Sequence, residues 1–114
     1  MKFQSLILEY FNFFSIKDSD SLETLLSEDI VLRDWNVQVA GKKKVIEEIK
    51  KIFDSTITIS ITPISFFVNS DYSYAVHISI LVNDEQQINV IDVINFDVDE
   101  KIAEIVAFKY ENIA

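Results

Sequence analysis

Cysteine is absent from this 114-residue chain, and histidine, glycine and proline each occur once. Without cysteine there is no disulfide scaffold, no thiolate metal site and no cysteine nucleophile. A single histidine, His77, excludes a multi-histidine zinc site. Phosphate-cradling loops and dinucleotide fingerprints need several glycines, and Gly41 is the only one available. Basic residues are also scarce, ten against nineteen acidic, for a net charge of −9. That balance opposes nucleic acid and anionic membranes as partners. No run reaches the eighteen or more apolar residues of a spanning helix. The apolar start, MKFQSLILEYFNFF, is interrupted by Glu9 and lacks a small-residue cleavage site, so no targeting segment is read there. A cytoplasmic protein without cofactor or metal is the expectation.

What is present is the composition of one globular domain spanning 1–114, 49% apolar and 25% charged. Its chemistry must come from carboxylates, phenols and amides. Phe3, Leu6, Ile7, Tyr10, Phe13 and Phe14 recur at helical spacing. Asp18, Ser19 and Asp20 break that pattern and cap a second, short helix carrying Leu22, Leu25 and Leu26. Residues 30–34 read as extended. After Gly41, residues 42–53 read as a third helix with Val45, Ile46, Ile49, Ile52 and Phe53 on one side, and its three leading lysines as a solvated first turn.

From Thr56 the period becomes two. Pro63 ends the first strand or places it at a sheet edge, and three more extended runs follow at 72–82, 87–96 and 101–110. Asn83-Asp84-Glu85 and Asp97-Val98-Asp99-Glu100 suit tight hairpins. Helices first and a strand meander last is the α+β pattern, with helices on one face of an antiparallel sheet. Both strand faces are apolar, however. Val76, Ile78, Ile80 and Val82 oppose Ala75, His77 and Ser79; Ile88, Val90, Ile94 and Phe96 oppose Ile91 and Val93; Ile102, Val106 and Phe108 oppose Ala103, Ile105 and Ala107. A sheet covered on one side only should be polar on the other, so a homodimer through the sheet is expected.

Asp92 is the anomaly, because it shares its strand face with Ile88, Val90, Ile94 and Phe96. An unpaired carboxylate there costs several kcal/mol, so Asp92 should find a partner or stay protonated. Asp34, beside Arg33 and Trp35, reads alone as a turn former. Tyr10 reads alone as a core tyrosine whose hydroxyl finds a partner.

The segment VIDVINFDVDEKIAEIVAFK (90–109) closely resembles the last hairpin of bacterial steroid Δ5-3-ketoisomerases, within the SnoaL-like and nuclear transport factor 2-like superfamily. LILEYFNFFSIKDSDSLETLLSEDIVLRDW is similar to that family's first two helices and first strand. The resemblance implies a cone-shaped curved antiparallel sheet closed by N-terminal helices around an apolar pocket. It also implies a small apolar or carbonyl-containing ligand. Asp34 then corresponds to the general base, and Tyr10 with a protonated Asp92 to the oxyanion hole. Ketosteroid isomerase is a known example of a carboxylic acid kept neutral by an apolar site so that it can donate a hydrogen bond.

The implied pocket wall includes Ile49, His77, Val90, Ile105 and Lys109. Three positions depart from the isomerases: Ile49 replaces a supporting tyrosine, Lys109 replaces an aromatic residue, and His77 replaces an aliphatic one. Two residues are also missing between Asp34 and Gly41. His77 and Lys109 together imply a more polar pocket, for a smaller or more oxygenated ligand than a steroid. The same superfamily admits cyclase, dehydratase and epoxide hydrolase chemistry, with His77–Asp92 or Arg33–Asp34 as the working pair. It also admits a non-catalytic small-molecule-binding domain.

Overall fold

The computed structural model describes residues 2–111. Three helices and the strands of one six-stranded sheet follow in the order α1 (Gln4–Ser15), α2 (Ser19–Leu25), β1 (Leu26–Arg33), β2 (Gln38–Ala40), α3 (Lys42–Ser55), β3 (Ile59–Ser70), β4 (Ser73–Val82), β5 (Gln86–Phe96) and β6 (Ile102–Tyr110), so two strands come before the third helix. The fold is α+β, as the order of periodicities predicts.

Local chemistry sets the boundaries. Phe3, which precedes α1, has no capping side chain; its amide donates to the Tyr74 hydroxyl at 3.2 Å, and that hydroxyl donates to the Asp71 carbonyl. The helix start is thereby tied to the β3–β4 hairpin. Two residues past the end of α1, the left-handed backbone of Lys17 (φ 58°) lets the Asp18 amide reach back to the Phe13 carbonyl at 2.9 Å. Asp18 then caps α2 by accepting from the Ser21 amide. The Lys17 ammonium donates to the carbonyls of Phe53 and Thr56, closing the C-terminal end of α3. Gly41 holds φ +96° just before α3; an added Cβ would meet nothing within 4 Å, so backbone conformation rather than space requires glycine there.

The sheet order is β2-β1-β6-β5-β4-β3. Every neighbouring pair is antiparallel except β1 with β6, which run parallel, so the first long strand lies beside the last. β3 is an edge strand, and Pro63 sits in it at a register shift. Asn83 and Asp84 both take left-handed conformations in the β4–β5 turn, and Glu100 does so in the β5–β6 turn. Register shifts that leave unpaired residues in β1, β3 and β6 curve the sheet. One of them, at Asn95/Phe96, turns Ile102 inward with Ile105, whereas uninterrupted alternation puts these two residues on opposite faces.

The core lies between the inner face of the sheet and the helices. Ile7, Phe11 and Phe14 of α1 and Val45, Ile49 and Phe53 of α3 pack toward Val76, Ile78, Val90, Ile94, Ile102 and Ile105. Each such side chain contributes about 1.5–3 kcal/mol on burial. Phe3 stacks on Phe96 at 4.4 Å between ring centroids, sealing one end of this layer. At the other end the side chains do not meet.

Candidate active site

That gap is a cavity of about 540 Å³, within the range of small-molecule sites. Ile78, Ile80 and Val82 of β4, Ile88 and Val90 of β5, and Ile105 of β6 build its sheet wall; Phe14 and Ile49 close it from the helices. The wall is aliphatic because β4 and β5 keep strict alternation here, so every second side chain enters the cavity.

Three acidic groups interrupt it. Asp92 lies on β5 opposite Val76 and Ala107 and is 6% exposed. Among the described residues nothing donates a hydrogen bond to its carboxyl group, which opens into the cavity. Burial raises its pKa from 3.8 to about 7, and the nearby Asp34 carboxylate adds to the rise. Tyr10, on the inward stripe of α1, is 4% exposed, and its phenol pKa is pushed well above the ordinary value by burial and then by Asp92. No described residue bonds its hydroxyl. Tyr10 and Asp92 are therefore two proton-bearing donors facing the same apolar space.

Asp34 stands just past the end of β1 and is half-buried. Its Oδ1 accepts from the amides of Asn36 (2.7 Å) and Val37 (2.9 Å), and its own amide donates to the Val37 carbonyl. The turn-former reading of Asp34 is thus correct, and the turn fixes the carboxylate at the cavity rim with Oδ2 free of any described partner. The structure brings Tyr10, Asp34 and Asp92 to one cavity, close enough for charges to couple. Glu48 and Lys51 of α3, joined at 2.9 Å, also line the cavity.

Ile49, Val90 and Ile105 line the cavity. His77 does not. It pairs with Ile91, on the alternate set of β4 and β5 positions, so its ring lies on the outer face, 2.5 Å from the Tyr110 hydroxyl. The strand alternation, which separates His77 from Val76 and Ile78, is right, and the family alignment misplaces it. Lys109 is on the inner side opposite Val90 but beyond the cavity, with its ammonium 5.4 Å from the Trp35 ring centroid. The polar pocket expected from these two residues is not built. Arg33 pairs with Val106 and also faces outward, so neither His77–Asp92 nor Arg33–Asp34 forms a working pair in the cavity.

Trp35 also lines the cavity, a place that the sequence signals only through its position next to Asp34. The wall residues Ile78, Ile80 and Val82 form one strand face by alternation, but nothing in that pattern says whether helices or a cavity cover it. Among the described residues, no three His, Cys, Asp or Glu side chains gather into a metal-holding group, and no helix is long and apolar enough to cross a membrane.

Solved structures share this architecture at low sequence identity. A Kribbella flavida protein provisionally named a ketosteroid isomerase is 14% identical, with 99% of this chain and 81% of that one covered at a TM-score of 0.83. The epoxide hydrolase/cyclase-like enzyme SalBIII, which acts in pyran ring formation in salinomycin, is 18% identical, with coverages of 94% and 89% and a TM-score of 0.81. A Methylobium petroleophilum protein of unknown function with a cystatin-like fold is 13% identical, with coverages of 99% and 78% and a TM-score of 0.83. No curated protein matches the chain. A family model, the SnoaL-like domain, matches residues 7–105. With that match over most of its length, and the curved sheet and helix-closed cavity already described, the chain belongs to the SnoaL-like family.

Proposed function

We propose that this protein is an isomerase of the ketosteroid isomerase type, which moves a proton next to a carbonyl group. The observation that carries the reading is Asp92, a buried carboxyl group with no described partner beside Tyr10 in an otherwise aliphatic cavity. A bound carbonyl oxygen accepts hydrogen bonds from Tyr10 and from protonated Asp92. The Asp34 carboxylate takes a proton from the adjacent carbon, the carbonyl becomes an enolate held by the two donors, and Asp34 returns the proton to another carbon. Burial keeps Asp92 protonated up to about pH 7, which makes it a donor. The aliphatic walls favour an apolar body behind the carbonyl, a steroid-like skeleton included. Assembly as a homodimer through the outer sheet face belongs to the same proposal.

The test is an ultraviolet assay for conversion of a Δ5-3-ketosteroid to its conjugated enone, with Asp34→Asn alongside. The wild type should turn over, and Asp34→Asn should lose at least about 10³-fold in kcat while still binding the product. An unchanged rate in Asp34→Asn removes Asp34 as the base. One observation favours a second reading, a non-catalytic small-molecule-binding domain: Oδ1 of Asp34 is already engaged by two amides, so the residue has a structural duty without any chemistry. Ligand binding with no turnover across ketone substrates is the outcome of that reading.

A further inference from the structure

The polar groups of the cavity stand at two levels of burial. Tyr10 and Asp92 are 4% and 6% exposed. Trp35, Asn36, Lys51 and Ser55 line the same space and are exposed, so the cavity meets solvent beside them. Along β5 the lining side chains run from Asp92 through Val90, both buried, to half-buried Ile88. At a strand's rise per residue that path is about 13 Å long. A ligand whose carbonyl rests against Tyr10 and Asp92 therefore has an aliphatic wall of that length to follow before it reaches water.

Glu48 belongs to the outer level. With Lys51 and Ser55 it follows an i, i+3, i+7 spacing that puts all three on one flank of α3, and all three line the cavity. After burial, the charge that raises the Asp92 carboxyl is Asp34 and not Glu48, which places Glu48 farther from that acid. Its side chain is 22% exposed, against 73% for Lys51, whose ammonium donates to Oε1 at 2.9 Å. Oε2 accepts from no described residue. The other oxygens of this level are poorer acceptors. The hydroxyls of Ser55 and Thr56 are turned onto the Ile52 carbonyl, and a neutral hydroxyl accepts more weakly than a carboxylate. Asn36 is exposed, where water competes for its amide.

Charge selects what Glu48 would hold. An anionic group is opposed by Asp34 in the same cavity and by a net charge of −9. An ammonium has to compete with Lys51, which already occupies Oε1. A neutral hydroxyl meets neither obstacle and supplies the donor that Oε2 lacks. We propose that Glu48 is a second anchor of this cavity, accepting a hydrogen bond from a hydroxyl at the far end of a ligand whose carbonyl lies against Tyr10 and Asp92. The substrates are then long, apolar hydroxyketones.

This rests on the isomerase-type reading given above and narrows its substrate class; the test separates the two. Isothermal titration calorimetry compares 4-androsten-3-one with its 17β-hydroxy and 17β-carboxylate derivatives on the full chain, as wild type, Glu48→Ala and Lys51→Met. The wild type should bind the hydroxyl derivative about tenfold more tightly than the parent ketone, the fold-change of one hydrogen bond to a charged group. The carboxylate should bind less well than the parent. Glu48→Ala should bind parent and hydroxyl derivative alike, with its affinity for the parent held within about twofold of the wild type. Lys51→Met should keep the preference for the hydroxyl. Equal affinities in the wild type overturn the anchor, and so does a Glu48→Ala variant that loses affinity for both ligands together, since that is the signature of a structural role. A carboxylate that binds most tightly, and no longer does so in Lys51→Met, makes Lys51 the anchor instead. Failure of all three probes to bind overturns the hydroxyketone. Turnover of 5-androsten-3-one and its 17β-hydroxy derivative is followed in parallel. The expected binding preference without turnover leaves the anchor standing and removes the isomerase; turnover of both with the same KM does the reverse.

Discussion

The two faces of β4 and β5 are equally apolar in sequence and opposite in structure. Inward, Val76, Ile78, Val90 and Ile94 are buried on the side of the helices; outward, Ala75, His77, Ile91 and Val93 of the same strands are only half-buried, and no described helix or strand covers them. The unexpected ionisable group also differs. The inner face holds Asp92, 6% exposed, in a cavity, and the outer face holds His77, half-buried against Tyr110. Strand alternation thus records that a face is kept from water, and says nothing of whether a helix, a ligand or another molecule does the covering. Substitutions that treat the two faces as equal are the way to break the comparison.

The largest effect is expected in the core. Ile94 is fully buried, and Ile94→Ala should destabilise by about 2–5 kcal/mol through lost transfer energy and the void left behind. Its neighbour Ile91 points outward, so Ile91→Ala in an isolated chain should cost less than about 1 kcal/mol. Urea denaturation of both variants over a hundredfold range of protein concentration sharpens the contrast. A cost for Ile91→Ala that grows with concentration means the outer face is covered in solution.

Asp92 gives the next largest effect, and its pH dependence has a definite sign. Its pKa is 3.8 when exposed and about 7 in the fold, so the folded state holds the proton more tightly. That favours folding below pH 3.8, fades as pH rises, and is gone above about 7, where the buried group must ionise. Asp92→Asn should therefore raise stability at pH 8 relative to the wild type, by at most about 4 kcal/mol, and change little at pH 3.5. Thermal melts across that range decide it. A pH-independent difference removes the protonated acid, and with it one of the two proposed oxyanion donors. In the proposed reaction, kcat should fall above pH 7 as this donor is lost.

The fold was legible because its signals are local. A change of period at Thr56, the caps at Asp18 and Gly41 and the turn residues Asn83 and Asp84 each name an element, and their order names the class. The parallel pairing of β1 with β6 was not legible, since it joins strands separated by almost the whole chain. Asp92 stood out because a carboxylate on an aliphatic strand face violates a rule that needs no partner to be known. Tyr10 and Asp34 were ordinary residues until the family resemblance placed them together. His77 shows the opposite case. Its parity on β4 is readable from the sequence and places it outward, whereas the family resemblance implies an inward position.

The smallest expected effect lies where the two faces meet the cavity mouth. Lys109 projects from the inner side of β6, past the end of the cavity, and its ammonium rests on Trp35 in the turn that carries Asp34. This contact bridges the sheet to the turn, so it restrains the Trp35 ring over the opening. At an exposed site such a contact is worth about 0.5–1 kcal/mol, a smaller change than either of the buried substitutions above. Trp35 is the only tryptophan in the chain, and its fluorescence therefore reports this one position. Lys109→Met should shift the emission and raise acrylamide quenching of Trp35 while lowering the melting temperature by no more than about 4 °C. Lys109→Arg should restore the wild-type spectrum, because a guanidinium stacks on the indole as well as an ammonium does. If Lys109→Met leaves the Trp35 emission unmoved, the ring is held by the Asp34 turn alone. The cavity mouth then owes its shape to the backbone amides of Asn36 and Val37 rather than to the sheet.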